Sequence, residues 1–257
     1  GVDEGGKYYD SHNALLSKQR ERRDEFYDAN ERYWASGGYL GKTDDEAMIG
    51  DSDGIEDAVE GLSFLDRLLA DDHDKLQPGH KRKFLHAVDA GAGVGRITKH
   101  VLLKRYDEVR LVEGDEGWSK RSKVYLGRKR ASRCTFSNQR LHILSGADVR
   151  NWGEPADLVW IQWTLQYLTD DDVVDCLRTL VGGLRAGSGV LVVKENRPFG
   201  SAREDRFQMD LPEGLNGRYD ITRPDSHHRY LFQKAGLVVD LMERGVETNT
   251  YALKAET

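Results

Sequence analysis

The stretch FLHAVDAGAGVGR, residues 84–96, decides the fold. A short apolar run ends in an acid, Asp89, and is followed by glycines at alternate positions, Gly91, Gly93 and Gly95. The pattern predicts a buried strand, 84–90, turning sharply into a helix, with glycine letting the backbone approach a ligand that side chains would exclude. The next apolar run, Val109 to Val112, reads as a second strand and ends at Glu113, where a carboxylate suits a ribose diol. Together they mark a Rossmann-like site for a nucleotide-like cofactor.

The spacing narrows the cofactor. A dinucleotide fingerprint wants its third glycine where this chain has Arg96, and the Gly-Lys-Ser/Thr of a P-loop is absent. The pattern Asp89-x-Gly-x-Gly-x-Gly suits S-adenosylmethionine (SAM), which has one ribose and a charged amino acid tail in place of a pyrophosphate. Asp89 is then expected to engage the ammonium directly or through water, Arg96 the carboxylate and Glu113 the ribose hydroxyls. The bland alternative is a tight structural turn with a solvated Glu at a strand end.

Outward from this motif, strand and helix signals alternate: strand 84–90, helix 96–105, strand 109–113, helix 117–130, strands 140–145 and 157–162, helix 170–183 and strand 189–195. They predict a parallel sheet with helices on both faces and ligands beyond the carboxyl ends of the strands. The glycine loop, Glu113, Gly146-Ala147-Asp148, Gln162-Trp163 and Glu195-Asn196 all fall at such ends. A helix at 225–234, a stop at Gly236 and two closing strands, 237–242 and 248–253, complete the reading. Ahead of the sheet, residues 11–34 read as one or two amphipathic helices bearing Leu15, Leu16, Phe26, Tyr27, Tyr33 and Trp34. After glycine-rich and acidic stretches, 55–69 reads as a further helix whose apolar face is Ile55, Val59, Leu62, Leu65, Leu68 and Leu69.

The 257 residues, 38% of them hydrophobic, suffice for one sizeable core. The expected organisation is an N-terminal helical extension, 1–70, packed as a lid on a core of 71–257 that carries an inserted loop near 197–220. A net charge of -6 argues against broad electrostatic binding of nucleic acid, and a cationic or peptide substrate fits better. The two cysteines, Cys134 and Cys176, have no neighbours at zinc-finger spacing, so neither a disulfide framework nor a structural metal is indicated. With no secretory signal and no apolar run near the roughly 18 residues of a membrane span, a soluble protein of the cytoplasm or nucleus is expected, without a membrane partner.

Trp160-Ile161-Gln162-Trp163 ends a strand. Alternation puts Trp160 and Gln162 on one side; Trp160 reads as core, whereas Trp163, beyond the strand end, reads as a wall of the substrate site. The run DAGAGVGRITK with WIQW at 160–163 and VVKEN at 192–196 closely resembles the eukaryotic protein α-N-terminal methyltransferases. Tyr33-Trp34, Leu168-Thr169-Asp170 and Ile221-Thr222-Arg223 extend the resemblance over roughly Phe26 to Leu253.

The resemblance implies a class I SAM-dependent methyltransferase core with a seven-strand Rossmann-like sheet. It implies methylation of the free α-amine of proteins that begin, after loss of Met, with a small residue or Pro, then Pro, then Lys or Arg. It further implies that Gly91, Gly93, Arg96, Glu113 and Gln162 contact SAM with Ala147 and Asp148 near the adenine, and that Tyr33, Trp34, Trp163 and Asn196 line the peptide channel. Two departures bear on catalysis. Tyr167 stands where the family commonly has His, and the stretch 197–222 is longer than usual, so that Asp220 is the nearest match to the catalytic aspartate and Asp210 the next. Acidic groups for the basic third residue are sought in Asp170-Asp171-Asp172, equally readable as a helix N-terminus, and in Glu204-Asp205. The competing functions are a methyltransferase of small amines and an inactive SAM-binding partner subunit.

Overall fold

A computed structural model describes the chain except residues 4, 38–43, 45–53, 74–85, 199–205, 213–216, 246 and 257, and the side chains of 54, 55 and 71–73. The start of the first expected strand, at 84, and Glu204-Asp205 therefore lie outside the described residues, whereas the expected boundary at 70/71 falls inside a continuous helix, 54–73.

The glycine motif opens on β2 (His86–Ala90), which leads through the loop into α4 (Arg96–His100). β3 (Glu108–Glu113), α5 (Glu116–Ala131) and β4 (Cys134–Asn138) follow. After the short α6 (Gly146–Arg150) come β5 (Leu158–Gln162), α7 (Asp170–Val181) and β6 (Val190–Asn196). The chain closes with α8 (Asp225–Lys234), β9 (Leu237–Arg244) and β10 (Thr248–Ala255). These strands form a seven-stranded sheet in the order β4-β3-β2-β5-β6-β10-β9. β4 to β6 run parallel, whereas β10 is antiparallel to both β6 and β9, so the sheet is mixed and not wholly parallel.

Strand alternation divides the core into two layers. Val88, Ala90, Val112, Val159, Ile161, Leu191 and Val193 face α7 and α8, whereas Ala87, Val109, Leu111, Leu158, Trp160, Val190 and Val192 face the opposite side. On that side lies α3 (Gly54–His73), which presents Ala58, Gly61, Phe64, Leu65 and Leu68 to the sheet. The expected face is rotated: Val59 is 62% exposed, and Gly61 instead brings the helix close enough that a Cβ there would lie 3.5 Å from the Trp160 ring.

The expected strand at 140–145 is a single 3-10 turn, Leu141–Ile143, and the strand is Cys134–Asn138. An edge strand needs only modest apolar content, which Cys134 and Phe136 supply, whereas Leu-His-Ile-Leu buries only Leu141 and Leu144, three residues apart.

The N-terminal region is two helices, α1 (His12–Glu21) and α2 (Arg23–Ala35), preceded by β1 (Val2–Asp3). β1 pairs with β7 (Gln208–Asp210), which pairs with β8 (Asp220–Thr222), forming a second sheet out of the long stretch before Arg223. Leu15, Phe26, Tyr27 and Ala29 share a core with Phe207, Met209, Tyr219 and Ile221. Among the described residues no helix is long and apolar enough to cross a membrane.

Candidate active site

The strand order reverses at β2, whose neighbours are β3 and β5, and a cavity of about 310 Å³ opens beyond the carboxyl ends of these three strands. Gly91, Gly93 and Gly95 all have positive φ. A side chain at Gly91 would also collide with Thr164, and one at Gly95 would come within 2.9 Å of Leu111, so the loop's close passage requires glycine. Asp89 is buried and fixes the loop from below, its Oδ2 accepting from the Thr98 amide at 3.0 Å and the Thr98 hydroxyl at 2.6 Å. Burial pushes its carboxyl up to about 6, although Thr98 and Arg96 act in the opposite direction. Glu113 accepts from the amides of Gly93 at 2.7 Å and Asp115 at 2.9 Å, which orients its carboxylate at the end of β3; burial raises its pKa as well.

Opposite the loop, Arg96 and Gln162 meet a group that sequence reading passed over. Asp57 of α3 accepts from Arg96 Nη1 at 2.7 Å and from Gln162 Nε2 at 2.8 Å, and pairs with Lys194. Gln162 in turn accepts at 3.1 Å from the indole of Trp160, which is fully buried and belongs to the core. Trp163 has φ 51°, an uncommon backbone for a tryptophan, and its ring lies 5.1 Å from the Arg96 guanidinium. The turn after it is held by Glu195, whose Oε1 accepts from the amides of Thr164 at 2.8 Å and Leu165 at 2.7 Å. Burial pushes the Glu195 carboxyl up to about 7.

The remaining wall comes from α2. Tyr27, Asn30, Glu31, Trp34 and Ala35 line the cavity, and Trp118 Nε1 donates to the Trp34 carbonyl at 3.0 Å, linking α2 to α5. Asn30 ties Tyr167 to β8, donating to the Tyr167 carbonyl at 3.4 Å and accepting from the Tyr219 amide at 2.8 Å. Tyr167 and Trp34 meet edge to face at 5.4 Å.

The structure thus gathers Asp89, Gly91, Gly93, Arg96, Glu113, Gln162, Trp163, Trp34 and Tyr167 around one cavity. Other expected residues stand outside its lining. Tyr33 turns its ring to the buried Arg218 guanidinium, 4.7 Å away, and Arg218 Nη2 donates to Asp220 Oδ2 at 3.3 Å. Asp220 is itself buried, which pushes its carboxyl up to about 6 against the influence of Arg218. Asp210 faces Asp220 across the β7–β8 pair. Asn196 donates to Gln166 at 3.0 Å. Ala147 and Asp148 belong to α6, where Asp148 and Ser145 form a capping box; the displaced β4 puts Arg140, Leu141 and His142 on the cavity in their stead.

The acidic run is likewise occupied. Asp171 takes Arg20 at 2.6 Å, Asp172 takes Arg23 at 2.8 Å and Tyr27 at 2.6 Å, and Asp170 takes Arg223, so the run docks the N-terminal helices and β8 onto α7 and is not left for a basic substrate residue. His12, Asp170 and His227 bring three metal-ligand atoms together, but Arg223 Nε donates to the same carboxylate at 2.8 Å and already supplies the opposing charge.

A mixed seven-stranded sheet with this loop and acid at its switch point defines a class I SAM-dependent methyltransferase. The cavity fits SAM on the structure's own terms: a loop of positive-φ glycines that lines it, an oriented acid at the end of β3, and a second acid beneath the loop. The chain belongs to the AdoMet dependent proline di-methyltransferase family, whose pattern matches residues 22–254. It is 31% identical over 222 residues to the N-terminal Xaa-Pro-Lys N-methyltransferase 1 of Xenopus tropicalis, covering 86% of this chain and 88% of that one. It is 32% identical over 204 residues to the alpha N-terminal protein methyltransferase 1 of Schizosaccharomyces pombe, covering 77% and 80%. A SAM-dependent methyltransferase of Leishmania major superposes with a TM-score of 0.72 at 25% identity, over 99% of this chain and 95% of that one.

Proposed function

We propose that this enzyme methylates the free α-amine of proteins whose N-terminus reads X-Pro-Lys/Arg, acting in the cytoplasm or nucleus. The observation that carries the reading is that Trp34, Trp163 and Tyr167 line the same cavity as the glycine loop and Glu113. An aromatic wall beside a methyl-donor site suits an amine that becomes a methylammonium, because ring faces attract such cations. The relatives' names, which specify Xaa-Pro-Lys N-termini, support the same substrate.

Bound SAM supplies a methyl group already activated on a sulfonium. The chain's own residues then have to hold and align. In this reading Glu113 holds the ribose, Asp89 the ammonium, and Arg96 and Gln162 the carboxylate end, while α2 acts as a lid over the cavity and excludes water. An α-ammonium of ordinary pKa near 8 costs only about 1 kcal/mol to deprotonate at pH 7, so alignment and not strong base chemistry is the main requirement. We assign Asp220 as the proton acceptor; it stands behind Tyr33 and Arg218 and not on the cavity wall, so the proton reaches it by relay and not by direct contact with the amine. Tyr167 contributes a hydrogen-bonding phenol to the cavity wall, and Asn196, outside the lining, bonds Gln166.

The test is mass spectrometry of an X-Pro-Lys peptide after incubation with enzyme and SAM, beside its α-acetylated form. The free peptide is expected to gain methyl groups and the acetylated one none, because acetylation delocalises the amine lone pair. Equal modification of both would move the reaction to a side chain and overturn the reading. Turnover of small amines without any peptide preference would transfer the function to small-molecule methylation.

A further inference from the structure

Three donors from three different elements converge on one carboxylate of α3. Arg96 follows β2, Gln162 ends β5 and Lys194 lies in β6, and all three contact Asp57, whose side chain is 13% exposed. The helix is driven into this place by packing one and two turns further on, where Gly61 and Phe64 rest against Trp160. Burial by itself raises the Asp57 carboxyl, but Arg96 and Lys194 outweigh that and hold it ionised, below the ordinary range.

The consequence for Gln162 is that its amide is fixed at both ends: Nε2 donates to Asp57 and Oε1 accepts from Trp160. Arg96 is set between the Asp57 carboxylate and the Trp163 ring. Lys194 is held from the other side by Glu60 at 3.1 Å, so the lysine has a second counter-charge. We propose that Asp57 is a positioning residue of the methyl-donor site, presetting Arg96 and Gln162 in the orientation in which they receive SAM. The proposal rests on the reading that Arg96 and Gln162 contact SAM. Asp57 itself need not touch it.

A positioning role separates from a structural one by where the loss falls. Asp57→Asn keeps the shape but removes the charge, so the Kd and KM for SAM are expected to rise about tenfold or more, as for loss of a hydrogen bond to a charged group. At saturating SAM, kcat and the KM for peptide should change less than about threefold. Asp57→Glu, which keeps the charge but displaces the carboxylate by a methylene, is expected to fall between wild type and Asp57→Asn. Lys194→Met removes one of the two cations that hold Asp57 ionised but leaves its bonds to Arg96 and Gln162 in place; it should lower thermal stability and weaken SAM binding less than Asp57→Asn does. Calorimetry with SAM on these variants and on Arg96→Ala decides the matter. If Arg96→Ala weakens SAM binding and Asp57→Asn does not, the positioning role is overturned while the site reading stands. If Arg96→Ala and Glu113→Ala both bind SAM as wild type does, the site reading fails and the role of Asp57 with it. Should Asp57→Asn not fold, the Asp57→Glu variant alone carries the test: unchanged SAM affinity there overturns the proposal.

Discussion

Replacing Asp170 by Asn should destabilise this enzyme more than any loss of one surface charge could. Arg223 is 1% exposed and donates to Asp170 Oδ1 through Nε at 2.8 Å, while its other nitrogens donate to the carbonyls of Leu165 at 2.8 Å and Leu168 at 2.7 Å. Asn leaves that guanidinium buried with only neutral acceptors, and stranding one partner of a buried pair costs about 3–5 kcal/mol. At about 2–4 °C per kcal/mol for a chain of this size, the melting temperature should drop by about 6–20 °C. Urea unfolding of the wild type, Asp170→Asn, Arg223→Met and the double variant gives the cycle; the double variant should be less destabilised than the two single losses combined, because no charge is then stranded. The pH dependence has a definite sign. Burial raises the Asp170 carboxyl, but Arg223 and His227 more than compensate and hold it below the ordinary range. Its contribution is therefore fully present above about pH 4 and lost as pH falls through the depressed folded-state value, so the gap between wild type and Asp170→Asn should narrow in acid. A loss under about 1 kcal/mol near neutral pH, or strict additivity in the cycle, would refute the reasoning.

Three further outcomes are expected. Glu113→Ala should weaken SAM binding by about 1.5–3 kcal/mol, the worth of a hydrogen bond to a charged group, and calorimetry showing wild-type affinity would remove the ribose assignment. SAM affinity should fall as pH drops below about 6, because Asp89, raised to about 6 by burial, then becomes neutral and no longer attracts an ammonium; the same raised pKa means its ionisation costs the unliganded fold stability as pH rises from about 4 to 6. Asp89→Asn should flatten that part of the affinity profile, and an unchanged profile would show that the ammonium binds elsewhere. Asp220→Asn should lower kcat by about 100-fold or more at unchanged SAM affinity if it accepts the proton, whereas retained turnover would hand that role to solvent.

The sequence by itself determined the elements whose cause is local. Alternating glycines after a β-strand ending in Asp89, the apolar runs of β3, β5 and β6, and the helix stop at Gly236 depend on backbone conformation and short-range periodicity, and so could be read residue by residue. The strand-end wall of the cavity was legible for the same reason: Gly91, Glu113 and Gln162 sit at strand ends, where the fold class fixes their position. Misreadings arose where the deciding partner is distant in the chain. Leu-His-Ile-Leu at 141–144 looks like a strand, but the edge of the sheet is taken by residues 134–138 and the cavity moves from Ala147 and Asp148 to Leu141 and His142. Asp57 was hidden because apolar periodicity pointed to Val59 and Leu62, whereas the small side chains of Ala58 and Gly61 let the helix lie close on Trp160. The acidic run of α7 was legible as a helix N-terminus, but that Arg20, Arg23 and Arg223 come to it from elsewhere in the chain was not. Only the tertiary structure decides such matters, because a buried charge is defined by the group that neutralises it, and no local pattern records which group that will be.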